Sequence, residues 1–232
     1  MSTSTELITL VRNIIDLEET DLPSSLVRTY LRDGYDRVIN LERRWPFFQT
    51  TYTFSTVANT RDYAITSIGS GDLREASSLV DTSVAGNRLK LISPDEAEAV
   101  WVGGLDTASR PLFFTFWGGN ISLYPKPNAV YPMRVRGYRK PSYTWVTDGI
   151  SQVDADDRLH TALAYYALSK AYERQEDAEM SAVYKRTFDE AVSLARTEIM
   201  RSSTHRPAVL SGGMPYPSMN RWLQDLGRTL GN

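Results

Sequence analysis

RRWPFFQTTYTFST, residues 43–56, holds the point at which the chain stops reading as helix and starts reading as strand. Upstream of it, Leu26, Val27, Tyr30, Leu31, Tyr35, Val38 and Ile39 recur at helical spacing along one broad face. Arg43 and Arg44 suit the negative carboxyl end of that helix, and Pro46 after Trp45 stops it. From Phe47 the period becomes two, and the aromatics and threonines favour extended backbone. The stretch predicts a helical part running into a β-rich part, and so an α+β fold.

Working towards the amino end, TDLPSS breaks the chain and Pro23 suits the start of the second helix. A first helix precedes it: Thr3 and Glu6 have capping-box spacing, and Leu7, Leu10, Val11, Ile14 and Ile15 follow at helical intervals. Towards the carboxyl end, ANTRDYAI, LREASSLVD and NRLKLIS read as further strands, and SPDEAEAVW as a short capped helix. RPLFFTFWGGNISLYP reads as a hairpin turning at Gly118, Gly119 and Asn120, and YPMRVRGYRK as a last strand. Helical spacing then returns with Leu159, Leu163, Tyr166 and Ala167, breaks at RQEDAE, and resumes through Met180, Val183, Tyr184, Phe188, Ala191 and Ala195.

Two helices, a block of strands and two more helices predict a four-helix bundle with a β-rich insertion between its helix pairs, followed by an extended C-terminal tail. The expected parts are a helix pair over 1–46, the β-rich insertion over 47–141, a second helix pair over 142–203 and the tail over 204–232.

The totals exclude more than they assign. With 26 basic and 28 acidic residues the net charge is -2, which offers no general attraction to nucleic acid or an anionic membrane. There is no cysteine, so disulfides and thiolate chemistry are absent. The first residues, MSTSTELITLVRNIIDLEETDL, lack a basic leader followed by an apolar run, and no stretch approaches a membrane span, so a soluble chain is expected.

Catalytic signals are scarce. His160 and His205 are the only histidines and have no cluster of partner ligands in sequence, so neither a metal nor another cofactor is expected. DADD (154–157) lacks the glycine and glutamate of a calcium loop, with Tyr165 at the twelfth position, and reads instead as the acidic start of a helix. SIGSGD has no lysine after its glycines and is not a phosphate-cradling loop. Arg134, Arg136 and Tyr138 fall on one face of the last strand, either a solvated face or a contact for a nucleic-acid backbone. Trp117, Tyr124 and Tyr131 are the residues a carbohydrate- or ligand-binding groove would use, though such rings also build β cores. A cell-wall hydrolase would need two carboxylates facing each other across a cleft, which spacing alone does not display.

The tail, PAVLSGGMPYPSMNRWLQDLGRTLGN, begins as a flexible tether and ends in large apolar side chains. Ser218 can cap a short helix in which Met219, Trp222, Leu223, Leu226 and Leu230 share a stripe. About 13 residues cannot hold a helix alone in water. Burying a tryptophan returns about 4–6 kcal/mol gross, against about 1–2 kcal/mol for each backbone residue ordered, so several anchors and a receiving surface are needed. The expected contacts with a partner or neighbouring subunit are Met214, Tyr216, Met219, Trp222, Leu223 and Leu226; folding back onto its own helices and fraying are the alternatives.

Three stretches resemble the head-to-tail adaptor (connector) proteins of tailed bacteriophages. LVRTYLRDGYDRVINLERRWPFFQTTYTFSTVANTRDYAI is similar in its helix ending at an aromatic-Pro segment, its threonine-rich strand and its Asp-Tyr strand. ISLYPKPNAVYPMRVRGYRKPS resembles the later Pro-rich turn and Tyr-containing strand, and LHTALAYYALSKAYERQEDAEMSAVYKRTFDEAVSLAR the closing helix pair. The resemblance spans about residues 22–200 and rests on pattern and element order, without a catalytic signature. It implies a non-enzymatic component of the virion neck that forms a homo-oligomeric, twelvefold ring beneath the portal protein and meets a tail or nozzle protein on its other side. DNA would pass through the lumen without sequence-specific binding, no membrane would be involved, and the C-terminal tail would dock on the portal.

Overall fold

In the computed structural model, residues 2–84, 87–101 and 107–204 are described. The capping box at the amino end is formed. The Thr3 hydroxyl accepts the Glu6 N–H at 3.2 Å, and the Glu6 carboxylate accepts the Thr3 N–H at 2.9 Å, opening α1 (Ser4–Ile15). Pro23 stands as the cap of α2 (Ser24–Leu41), which buries Val27, Leu31, Tyr35 and Val38. Its end is pinned by Trp45, a fully buried ring whose indole N–H donates to the Val38 carbonyl at 3.1 Å. α2 thus ends at Leu41, before the Arg43, Arg44 and Pro46 expected to close it, and a 3₁₀ turn, Pro46–Phe48, carries the chain into strand β1 (Gln49–Ser55), which starts two residues after the expected Phe47.

The remaining strands are β2 (Asp62–Ala64), β3 (Leu73–Asp81), β4 (Arg88–Leu91), β5 (Phe113–Trp117), β6 (Asn120–Tyr124) and β7 (Pro132–Arg139). They form one sheet in the order β1-β7-β3-β4-β5-β6-β2. All pairs are antiparallel except β4–β5, whose parallel pairing needs a crossover; helix α3 (Pro94–Trp101) lies within that connection. The β5–β6 hairpin turns at Gly118 (φ 57°) and Gly119 (φ 78°), the left-handed conformation that favours glycine. The sheet curls so far that Phe54 of one edge strand meets Tyr63 of the other, with ring centres 5.3 Å apart. Ile68, Leu73, Leu79, Leu89, Phe114, Ile121, Leu123, Met133 and Val135 fill its inner face.

The chain closes with the short α4 (Thr144–Asp148), then α5 (Asp157–Arg174) and α6 (Ala178–Thr204). The α+β class stands, but the expected four-helix bundle does not: among the described residues, six helices accompany a curled seven-stranded mixed sheet. A bundle helix buries one stripe. In α5 the consecutive residues Ala162, Leu163 and Ala164 are all buried, together with Leu159, Ala167, Leu168 and Ala171. Consecutive positions differ by about 100° around a helix, so α5 is covered on several sides. Its alanines admit close neighbours, and α1, α2 and α6 each pack chiefly against it. α5 is thus a central rod, not one of four equivalent members. Trp45, Phe48 and Trp145 extend the same core to the sheet side.

Candidate interaction site

The strongest polar construction joins the helices to the sheet. Arg139, at the end of β7, pairs with Asp154 through both guanidinium nitrogens, one bond measuring 2.9 Å. The same carboxylate accepts the Tyr35 hydroxyl at 3.1 Å and the Ser142 N–H at 2.6 Å. Burial, and then the Asp154 charge, push the Tyr35 phenol well above its ordinary pKa, so it stays a donor. Hydrogen bonding to Asp154 holds the Arg139 guanidinium above its usual range. Arg139 and Arg74 both lie over the Phe48 ring, at 5.3 and 5.5 Å from its centre. Beside them Arg44 pairs with Glu75 of β3, and Tyr143 donates to Asp36 at 2.6 Å, its phenol pushed up to about 12 by burial and then by that bond. The joint therefore binds α2, β3, β7 and the segment before α5 into one body.

A second knot closes the opposite end of the sheet. The Asp81 carboxylate is fully buried and accepts Arg110 Nε at 2.8 Å, the Ser83 hydroxyl at 2.6 Å and Asn87 Nδ2 at 3.2 Å. Burial drives its pKa upward, but the bonds from Ser83 and Arg110 outweigh burial and leave it below the ordinary aspartate value. A depressed carboxyl contributes stability that is complete above the unfolded-state pKa and is lost as pH falls through the folded one. We expect the urea midpoint to drop on going from about pH 5 to about pH 3. Asp81→Asn should start from a lower midpoint and show a shallower acid slope; an unchanged slope would remove Asp81 as its source.

DADD divides its labour. Asp154 makes the joint, Asp156 caps α5 by accepting the Arg158 N–H at 3.1 Å, and Asp157 sits in the first turn. The helix-start reading of this run holds for its last two residues. No group of three metal-ligating side chains occurs among the described residues, and none of their helices is long and apolar enough to cross a membrane. His160 is buried and packed. The SIGSGD stretch forms a tight 3₁₀ turn at Gly69–Gly71.

The three aromatics of a ligand groove are not brought together. Trp117 lies 71% exposed at the hairpin turn, whereas Tyr124 is buried at the far end of the same hairpin beneath the Arg61 guanidinium. Tyr131 lies beneath Arg110 and donates to Asn128. Arg136 and Tyr138 do share a face with Gln49, Thr51 and Ser78, lining an open polar groove of about 690 Å³. The groove contains one cation and no carboxylate, and Arg136 has no acidic partner among the described residues. At the end of the sheet away from the joint, Val57, Val84 and Val130 are exposed on neighbouring loops, and Thr56 ties two of these loops together through Ala129 and Tyr131.

The six tail residues expected to make contacts, Met214, Tyr216, Met219, Trp222, Leu223 and Leu226, lie outside the described residues. What sequence reasoning missed is the joint. Tyr35 and Asp154 are 119 positions apart and Arg44 and Glu75 are 31 apart, and no local pattern marks them as partners.

With this geometry in hand, the family model of the SU10 adaptor protein matches residues 2–209 of the chain. No individual curated protein matches the chain.

Proposed function

Because the chain belongs to the SU10 adaptor protein family, whose members serve as structural adaptors of bacteriophages, we propose that it forms a ring beneath the portal, links capsid to tail and continues the DNA channel. The observation that carries this reading is the extent of the family match, which takes in every described residue. The fold is compatible with a purely mechanical role. Helices and sheet are joined by the partly buried Arg139–Asp154 pair and by Arg44–Glu75, the kind of cross-tie a part that transmits load between head and tail requires. In the ring, each subunit presents one surface to the next and a different surface to the previous one, a heterologous contact that closes by rotation. The virion neck is its place, with the portal protein on one side and a tail component on the other.

The family match stops at residue 209, so Met214, Tyr216, Met219, Trp222, Leu223 and Leu226 lie beyond the shared part. We assign them to docking on the portal. A tethered apolar stripe raises the local concentration of the second contact once the first has formed. Mixing the purified protein with its cognate portal and weighing the products by mass photometry tests both statements. A complex with many copies of the chain is expected, and a variant lacking residues 207–232 should associate at least about tenfold more weakly. Absence of any complex with the full chain overturns the adaptor reading; undiminished binding by the shortened chain overturns only the role of the tail.

A further inference from the structure

His160 holds the amino-terminal segment by a bond that only its neutral form can make. Its ring is buried in α5. Nδ1 accepts the Ser2 N–H at 3.0 Å, and Nε2 faces the Ala155 carbonyl at 3.3 Å. An amide can only donate and a carbonyl can only accept, so both contacts are satisfied together by the tautomer carrying its proton on Nε2. The held segment is part of the structure. The Ser2 carbonyl accepts the Val153 N–H at 3.0 Å, Thr3 makes an antiparallel bridge with Gln152, and Thr3 then caps α1. Residues 2–3 therefore clamp the start of α1 onto the loop that carries Asp154.

Protonation of Nδ1 sets two donors against each other, and the Ser2 bond is lost. A second acceptor lies close by: Asp157 Oδ1 is 3.6 Å from Nδ1. We propose that His160 is an acid-operated latch, which grips Ser2 when neutral and turns to Asp157 when charged, releasing residues 2–3 from 152–153. Around the ring, the Ala155 carbonyl, Asp157 and Asp156 favour the charged form, while burial opposes it. The negative charge of Asp154 is already committed to Arg139. Burial is the largest influence and lowers the histidine pKa. The grip is therefore complete above the ordinary histidine range and lost as pH falls through and below it.

The test is amide hydrogen exchange of Val153 in the full-length protein, corrected for the intrinsic rate, read alongside the NMR titration of the His160 imidazole. Between about pH 8 and about pH 5, protection of Val153 should fall at least about tenfold, with the same midpoint as the imidazole. In His160→Asn an uncharged acceptor replaces Nδ1, and the pH dependence should disappear. In Asp157→Asn the charged ring loses its second partner, and the shared midpoint should move to lower pH. Constant protection of Val153 across the range, or midpoints of exchange and titration that do not coincide, would overturn the proposal. The coincidence test uses the unmodified protein, so it decides even if His160→Asn folds poorly.

Discussion

Gly137→Ala is expected to abolish the folded sheet. Gly137 lies in β7 between Thr50 of β1 and Ala76 of β3, and β3 is irregular there, with register shifts between Leu73 and Glu75 and between Ala76 and Ser78. The irregularity drives the Glu75 carbonyl into the space a Cβ would occupy on residue 137, so a methyl group would overlap a backbone oxygen. A flexible side chain could move aside; a backbone carbonyl in a strand held by its ladder to β7 cannot move without that ladder. The cost should exceed about 4 kcal/mol, in the range that unfolds a marginal domain. Gly118→Ala is the control. Nothing lies within 4 Å of a Cβ there, and only its left-handed φ of 57° penalises alanine, by about 1–2 kcal/mol. Urea unfolding and amide NMR spectra of the two variants should separate sharply; a Gly137→Ala protein that is as stable as Gly118→Ala would refute the steric argument.

Asp154→Ala should come next, at about 3–5 kcal/mol, the usual cost of removing one partner of a largely buried ion pair. The substitution leaves the Arg139 guanidinium beside Phe48 without its counter-charge and removes acceptors for Ser142 N–H and the Tyr35 hydroxyl. Tyr35→Phe is milder, about 1 kcal/mol, because it removes a donor while Asp154 keeps Arg139. The two changes should also differ in kind. The joint connects two hydrophobic cores, one among the helices and one inside the curled sheet. Without Asp154 the two should unfold at separate urea concentrations, as reported by tryptophan fluorescence for the helical core, which contains Trp45 and Trp145, and by hydrogen exchange of β5–β6. Coincident transitions in Asp154→Ala would show that the joint does not couple them.

Much of this fold can be read from local pattern. The capping box at Thr3, the break at Pro23, the extent of β3 and the glycine turn of the β5–β6 hairpin all follow from interactions within a few residues, whereas α2 ends at Leu41, short of the Arg43, Arg44 and Pro46 expected to close it. The family could be recognised for the same reason: its signature is an order of elements, and elements are local. The bundle expectation failed because helical periodicity tells which residues of α5 are apolar but not how many neighbours share them. Its alanines, which look like ordinary helix formers in sequence, are the positions where other helices approach. The possible ligand groove failed in a similar way, since alternation places a ring on a face without saying which end of the sheet it occupies.

Local sequence is enough for the order of helices and strands, the α+β class and the family. These depend on backbone hydrogen bonds and steric preferences that act over one or two turns of chain. Tertiary structure alone decided that α5 is the central rod, that the sheet curls until its edges meet, and that Arg139, Tyr35 and Ser142 share one carboxylate. Those outcomes depend on groups far apart along the chain being excluded from water together, and the energy that selects them exists only once the whole core has formed.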